Sequence, residues 1–421
     1  MREDWIEIIY KYAVYKISTS KQKLKQKEYL DDGIFPIVDQ GQDLIGGYTN
    51  DETKILNCDL PVIVFGDHTK NIKLINFQFA PGADGTKVLE PSKFIVPEYI
   101  SYLTKILVFK IKDKGYARHY QHIEKELLPL APLPIQRAIV SKIESLFSDL
   151  DNGIANLKKA QEQLKIYRQA VLKKAFEGEF SQVKVLDISE VKTGSTPKRG
   201  NIKYWNNGTI PWITSGALNN LFVKKAKEFI TETALQETNC KIIKKGSLLI
   251  AMYGEGKTRG KCSELNIDAA TNQAIATITL TSEYEKSRSY VKWFFLKNYE
   301  EIRLLSSGGV QPNLNLSIIK NTVLPFPSLS EQYQIVQEIE TRLSVCDKVE
   351  QSITESLEKA KALRQSILKK AFEGKLLTEQ EIEQCKQAPD YEPASVLLEK
   401  IKAEKLEKEQ EAKKTKNKIK K

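Results

Sequence analysis

The chain is poor in the residues that carry most protein chemistry, with three histidines and five cysteines in 421 residues. Cys58, Cys240, Cys262, Cys346 and Cys385 are scattered and odd in number, with no Cys-x-x-Cys pair. They specify neither a disulfide framework nor a zinc site and read as reduced thiols. His119 and His122 lie three apart in a loop and His68 is distant. With no cysteine or paired carboxylate at ligand spacing, surface or base-contacting roles suit these histidines better than a metal site. Long apolar runs are also missing. Leu60 to Phe65 and Ser247 to Met252 are too short to span a bilayer, and Met1-Arg2-Glu3-Asp4 lacks the apolar core of a signal peptide. These absences point to a soluble, cytoplasmic protein with no membrane partner.

Catalytic motifs are equally scarce. There is no Gly-x-Ser-x-Gly elbow and no Gly-x-Gly-x-x-Gly turn opening a helix. A relaxed phosphate-loop pattern, Ala251-Met252-Tyr253-Gly254-Glu255-Gly256-Lys257-Thr258, follows a strand-like run, but its first glycine is an alanine. No amphipathic helix begins at Arg259-Gly260-Lys261-Cys262, so the helix N-terminus that would bind phosphate is missing. Pro389-Asp390 stands beside a charged helical run, where a metal-dependent nuclease would need a strand for its acidic ligands. The reading is of a non-catalytic chain without a cofactor of its own.

What is abundant is lysine. Lys plus Arg number 65 against 54 Asp plus Glu, giving +11 and favouring a polyanionic partner. Residues 400–421 hold ten lysines and four glutamates, so that tail carries +6 of the total. The remaining +5 is modest, and charge alone does not establish DNA binding.

The strongest signal is a repeat. Lys173-Lys174-Ala175-Phe176-Glu177-Gly178 returns 196 residues later as Lys369-Lys370-Ala371-Phe372-Glu373-Gly374. The same offset pairs Gln136 with Gln332, Ile143-Glu144 with Ile339-Glu340, and Arg168-Gln169 with Arg364-Gln365. In the first copy Ile143, Leu150, Leu157, Leu164 and Val171 recur every seven residues, with Leu146, Ala160 and Tyr167 beside them, which is a coiled-coil heptad. The second copy keeps a rougher seam of Ile339, Leu343, Cys346, Val349, Ile353, Leu357, Ala360, Leu363 and Ile367. Each copy predicts a helix of roughly 60 Å, too long to be buried alone, so the two should pack on each other. Gly178 and Gly374 stand where a helix ends in left-handed geometry, with lysines in the last turn. Ser330 is the expected N-cap of the second helix.

A globular region precedes each helix. Gly33-Ile34-Phe35-Pro36-Ile37-Val38-Asp39-Gln40-Gly41 is echoed by Gly208-Thr209-Ile210-Pro211-Trp212-Ile213-Thr214-Ser215-Gly216, and Pro61 to Gly66 by Ser247 to Gly254. A Gly-containing polar loop closes each region, Gly115 to Gln121 in one and Ser306 to Asn313 in the other. The fold class is therefore α+β: two mixed α/β domains, 1–134 and 180–329, joined by two long helices, 135–179 and 330–376, packed as an antiparallel coiled coil. A charged helical tail, 377–421, follows.

The candidate ligand-facing residues are polar and basic loop residues. In the first region they are Lys21, Lys23 and Lys25 in a basic stretch, Gln40, Gln42, His68 and Lys70 in turns, and Arg118, His119 and Tyr120 in the polar loop. In the second they are Thr196, Lys198, Arg199, Thr214 and Ser215 around an aromatic segment, Lys257, Thr258, Arg259 and Lys261 in the glycine-rich loop, and Gln311 and Asn313. Such side chains donate to phosphates or read base edges, although a lysine run alone is also an ordinary solvated loop. Tyr204, Trp205 and Trp212 are read mainly as core. A protein reading DNA is one expectation; a coiled-coil scaffold that never touches DNA is the alternative.

The tandem resembles the specificity subunit of type I restriction-modification systems. The resemblance is carried by Thr193-Gly194-Ser195-Thr196-Pro197 leading to Tyr204-Trp205 and Ile210-Pro211-Trp212, by Phe35 to Gly41 with Ile45-Gly46-Gly47-Tyr48-Thr49, by Leu324-Pro325-Phe326-Pro327 to Glu331-Gln332, and by the twin Lys-Lys-Ala-Phe-Glu-Gly stretches. One departure is Ile135, where an acidic residue is expected before Gln136. The resemblance implies two target recognition domains reading a split, asymmetric double-stranded DNA site, with the helices setting the unread spacer. It also implies docking of two methyltransferase subunits, which use S-adenosylmethionine to methylate adenine, and of restriction subunits using ATP and Mg.

Overall fold

The computed structural model describes residues 2–82, 84–111, 118–253, 258–304 and 313–419, with side chains of the last helix described to residue 411. Two compact units result: Met1–Leu157 with Ser356–Lys421, and Lys158–Glu355.

The first unit contains β1 (Ile6–Ile9), β2 (Val14–Ile17), β3 (Phe35–Val38), β4 (Gly47–Thr49), β5 (Val62–Gly66), β6 (Ile72–Ile75), β7 (Ala80–Pro81), β8 (Thr86–Pro91) and β9 (Leu127–Leu130). They form sheets ordered β2-β8-β5-β6, β4-β3-β7 and β1-β9. β5 is buried along its whole length, which its unbroken Val62-Ile63-Val64-Phe65 run anticipates for a strand covered on both faces.

The second unit contains β10 (Gln182–Lys184), β11 (Ser189–Thr193), β12 (Ile210–Ile213), β13 (Phe222–Val223), β14 (Glu228–Ile230), β15 (Leu248–Ala251), β16 (Cys262–Leu265), β17 (Ala270–Thr271), β18 (Ile275–Leu280) and β19 (Val323–Pro325). Its sheets are ordered β11-β18-β15-β16-β13, β14-β12-β17 and β10-β19. Strand for strand this is the topology of the first unit, with β13 added at one edge. The faint echo between the two regions of sequence is thus one chain path used twice. After β15, strand β16 follows the glycine-rich loop where a phosphate-binding helix would have to start.

The long helices are Leu133–Ala175 and Leu329–Phe372, each about 65 Å by helical rise. They run antiparallel in each unit, and the same ion pair recurs at the repeat offset. Arg364 pairs with Asp151 in the first unit, and Arg168 with Asp347 at 2.7 Å in the second. Each helix begins on a buried glutamine. Gln136 Nε2 donates to the Ala131 carbonyl at 2.8 Å, and its Oε1 accepts from the Val96 N–H at 2.9 Å. Gln332 Nε2 likewise donates to the Pro327 carbonyl at 3.0 Å. Ile135, the departure from the family pattern, is fully buried in the first core.

The repeated phenylalanine closes the other end. Phe372 packs 5.1 Å from Tyr99 in the first unit, while Phe176 packs 5.1 Å from Tyr290 in the second. Both tyrosine hydroxyls donate to a proline carbonyl, Pro129 at 2.9 Å and Pro325 at 2.8 Å, again 196 residues apart. Each unit therefore holds the start of one long helix and the end of the other.

Three details differ from expectation. The N-cap of the second helix is Ser328, which bonds reciprocally with Glu331, so the Ser-x-x-Glu capping box sits two residues before Ser330. Gly374 is left-handed at φ +74, but Gly178 is absent from the positive-φ residues; the Phe180 ring lies where a Cβ would project. Of the seam residues, Ile339, Cys346, Ile353, Ala360 and Ile367 are buried along the whole second helix, while Tyr167, Val349 and Leu363 are 45%, 42% and 51% exposed. Two helices bury only a narrow stripe, so a 3.5-residue repeat of mixed quality leaves part of its apolar face uncovered.

The segment after Gly374 is not a loose tail. Helix Ala394–Ile419 buries Leu397 and Ile401 in the first unit's core, and Ser92 donates to Glu404 at 2.5 Å. Arg2 pairs with Glu379, Arg137 with Asp390 and Lys142 with Glu381, all at 2.8–3.0 Å.

Candidate nucleic-acid interface

In the first unit the loop after β3, the β5–β6 hairpin and the β7–β8 turn converge. Gln40 holds them together: its Nε2 donates to the Asp84 carbonyl at 2.9 Å, and its Oε1 accepts from the His68 N–H at 3.3 Å. Its own carbonyl accepts from Thr69 Oγ1 at 2.6 Å and Asn71 Nδ2 at 2.9 Å. Gln40 is thus a brace with both ends of its amide engaged, and exposed Gln42 stands two residues on in the same turn. Asp39 shapes that turn. One of its oxygens accepts from the Gly41 N–H at 2.8 Å, and buried Lys73 donates to its carbonyl at 2.9 Å. Burial lowers the Lys73 pKa, against the pull of the Asp39 charge.

The basic residues gather at the same loops. Lys23 pairs with Asp84 at 3.3 Å, and buried Leu24 pins the stretch that carries Lys21 and Lys25 outward. Lys70 adopts φ +63 in the hairpin beside His68, a conformation uncommon for a residue with a side chain and one that marks functional turns. Arg118 is exposed next to them. His119 and Tyr120 correct the expectation of surface roles. His119 is 1% exposed, with Nδ1 2.8 Å from the Asp67 carbonyl, so Nδ1 carries the proton. Tyr120 is 8% exposed, packs on Phe65, and burial pushes its hydroxyl pKa up to about 12. Both bolt the polar loop to the end of β5, and burial leaves them no outward face.

The second unit repeats the arrangement with different residues. The loop after β12 carries Thr214 and Ser215, and the Asn272 N–H donates to the Ile213 carbonyl at 3.0 Å, bringing the β17–β18 turn alongside. Gly194 lies so close to Thr271 that any side chain there would collide with its backbone. That approach lets the Ser195 N–H reach the Thr271 carbonyl at 2.9 Å and Thr196 Oγ1 donate to Gln273 Oε1 at 2.5 Å. Trp212 is 2% exposed, confirming a core role, and its indole donates to the Ser195 carbonyl at 3.1 Å.

The remaining candidates are dispersed or engaged. Arg199 stacks 4.1 Å from the Trp205 ring centre and 4.7 Å from that of Trp212 and pairs with Glu228 of β14, so its guanidinium is held against both tryptophans while Lys198 beside it is exposed. Lys261 donates to Asn219 at 2.6 Å. Gly260 turns the β15–β16 loop at φ +83, next to Thr258 and Arg259. Asn313 is exposed, and its neighbour Leu314 donates from its N–H to the Met252 carbonyl at 3.1 Å, at the end of β15. Lys257 and Gln311 lie outside the described residues, as do residues 115–117 of the first polar loop and 306–312 of the second.

Sequence reasoning missed Asp39, Asp84, Asn272 and Gln273. The signals were Gly82-Ala83-Asp84-Gly85 and Thr271-Asn272-Gln273, short polar turns between two strand-like runs. Among the described residues no cluster of His, Cys, Asp or Glu could hold a metal ion. Burial pushes the Cys262 thiol up to about 12, which leaves it unreactive. No described helix is long and apolar enough to cross a membrane. What the geometry offers in each unit is a rim of fixed loops with lysine, glutamine, threonine and asparagine side chains.

Residues 177–359 match the type I restriction modification DNA specificity domain. The EcoR124I/EcoR124II specificity subunit of Escherichia coli is 25% identical over 82% of this chain and 87% of its own length. The chain is similar to type I specificity subunits over most of its length. Its likeness to the EcoBI specificity subunit of Escherichia coli is 28% over 67% of this chain and 65% of that one. The crystal structure of the HsdS subunit from Thermoanaerobacter tengcongensis superimposes with a TM-score of 0.60 at 17% identity, covering 89% of this chain and 98% of that one. A chain from a study of complex assembly and conformational transition in the type I R-M system gives 0.69 at 18% identity, covering 89% and 99%. These two likenesses establish the fold: two α/β domains joined by two long packed helices.

Proposed function

We propose that each unit of this specificity subunit reads one half of a split, asymmetric DNA sequence through its rim of convergent loops, and that the paired helices set the unread spacer. The observation that carries this reading is the repeated topology with different residues at equivalent loop positions, Gln40 against Ser215, Gln42 against Ala217, and Asp84 against Gln273. One scaffold with two sets of contacts is what an asymmetric target requires. Lysines on the rim would hold phosphates while polar side chains meet base edges. Joining two weak readers raises the effective concentration of each half-site for the other.

The subunit itself performs no chemistry in this reading. Two methyltransferase subunits, supplying S-adenosylmethionine chemistry on adenine, and restriction subunits, using ATP and Mg, dock on it, and exposed apolar side chains of the long helices, Tyr167 and Val349 in the second unit and Leu363 in the first, offer them apolar surface in each unit. Selection from a random DNA library by the subunit with its modification partner should enrich a two-part motif. Enrichment of one continuous site would overturn the reading. DNA affinity should also fall steeply with salt as phosphate counterions are released; a scaffold that never touches DNA would have no affinity to lose.

A further inference from the structure

We propose that Gln273, in the β17–β18 turn of the second unit, is a base-reading residue, held in place by Thr196. The inference rests on the proposal that this unit reads DNA. Gln273 is exposed, yet it is fixed more firmly than an exposed side chain usually is. Its carbonyl accepts from Thr193 Oγ1 at 3.1 Å, and the turn is closed by the Asn272 side chain accepting from the Ala274 N–H at 3.2 Å. Its own Oε1 accepts from Thr196. Thr196 is in turn positioned by the close approach of Gly194 to Thr271 and by the Trp212 indole on the Ser195 carbonyl.

In this arrangement the amide turns Oε1 towards Thr196. With one lone pair of Oε1 occupied by the threonine hydroxyl, Nε2 is left as a donor that makes no hydrogen bond among the described residues, and one acceptor lone pair of Oε1 remains beside it. A donor next to an acceptor, rigidly presented, is the complement of an adenine edge in the major groove, N7 and the N6 amino group. The contrast with Gln40 decides which glutamine reads. Gln40 uses its Nε2 and its Oε1 on its own chain, whereas Gln273 uses only Oε1. The pre-set rotamer spares the ordering cost that a free glutamine would meet on binding.

The experiment is methylation-motif sequencing of DNA exposed to the assembled modification complex carrying wild type, Gln273→Ala, Gln273→Glu or Thr196→Val, with thermal unfolding of each. Gln273→Ala should relax one position of one half-site, by roughly 5- to 150-fold in discrimination, and leave every other position unchanged. Gln273→Glu, an acceptor only, should shift that position towards cytosine, whose N4 amino group donates. Thr196→Val should relax the same position more weakly. An unchanged motif with Gln273→Ala and Gln273→Glu would overturn the inference, as would relaxation spread over both half-sites. If wild type itself yields no two-part motif, the DNA-reading proposal fails instead. A variant that unfolds below wild type by several degrees is replaced by Gln273→Asn, which should keep the edge chemistry but withdraw it, relaxing the same position.

Discussion

Buried polar side chains, few as they are, fix where the long helices of this chain begin. Gln136 satisfies a carbonyl and an N–H from two neighbouring segments, whereas its twin Gln332 makes one bond and leaves Oε1 unpartnered among the described residues. Gln136→Leu should therefore destabilise the first unit by about 2–4 kcal/mol, because it strands two buried groups. Gln332→Leu should cost the second unit less than about 1.5 kcal/mol. Hydrogen exchange followed separately in the two units measures the difference; equal costs would show that the glutamines act only by filling space. A second residue-scale effect concerns pH. The Thr378 N–H, Lys142 and the Thr378 hydroxyl hold the Glu381 carboxyl down at about 2. Its stabilising effect is present above the ordinary glutamate range and is lost as pH falls from there through about 2. Limited proteolysis after Gly374 should accelerate across that window, and Glu381→Gln should flatten the response. At this scale the sequence was only partly legible. The twin glutamines announced themselves by the repeat, but the roles of His119 and Tyr120 turned on burial, which a polar loop does not reveal. Gln40 was a candidate by residue type and Gln273 was not, yet the geometry engages both ends of the Gln40 amide and only Oε1 of Gln273.

Elements read more clearly, because their signals are periodic. The heptads and the Lys-Lys-Ala-Phe-Glu-Gly twins placed both long helices to within a few residues, and the Leu60–Phe65 run became β5. Misplacements came where tertiary contact overrides local pattern. The Ser328–Glu331 box was visible as Ser-x-x-Glu yet shared its stretch with Ser330, an equally good capping residue by type. Gly178 and Gly374 follow the same Lys-Lys-Ala-Phe-Glu stretch, but only Gly374 turns left-handed, and the residues after them differ, Glu179-Phe180 against Lys375-Leu376. Gly374→Ala should then cost about 1 kcal/mol through backbone conformation, read as a fall in the melting temperature. The terminal helix was legible only as charge. Its two inward residues, Leu397 and Ile401, are spaced four apart among lysines and glutamates, too short an apolar stripe to declare burial. Leu397→Ala and Ile401→Ala should each destabilise the first unit by about 2–4 kcal/mol. Equilibrium urea unfolding tests this; a change near zero would mean that the helix merely rests on the surface.

For the whole molecule, the repeat of strand order between the units is the fact with the widest reach. It was faintly legible in Gly33–Gly41 against Gly208–Gly216, in Pro61–Gly66 against Ser247–Gly254 and in the polar loop that closes each region, and was blurred beyond them, since strands tolerate any β-branched or aromatic filling that suits the core. Which loops assemble into one rim could not be read at all: the residues involved lie tens of positions apart and meet only through sheet topology. If the helices act as a spacer, inserting one heptad into both long helices should lengthen the unread gap in the methylation motif, or stop assembly, and leave the bases of each half-site alone. Altered half-sites with an unaltered gap would contradict it.

The interlocking of the helix ends has a genetic corollary. Because Phe176 and Phe372 fill matching sockets, and Arg168 and Arg364 find matching aspartates, a crossover between two related genes inside either copy of the repeated stretch would join parts whose buried surfaces already agree. The segment coding for one globular unit could then be traded for a divergent one while the joints stay intact. Hybrids cut inside the repeat should fold, and hybrids cut inside a β-sheet should not.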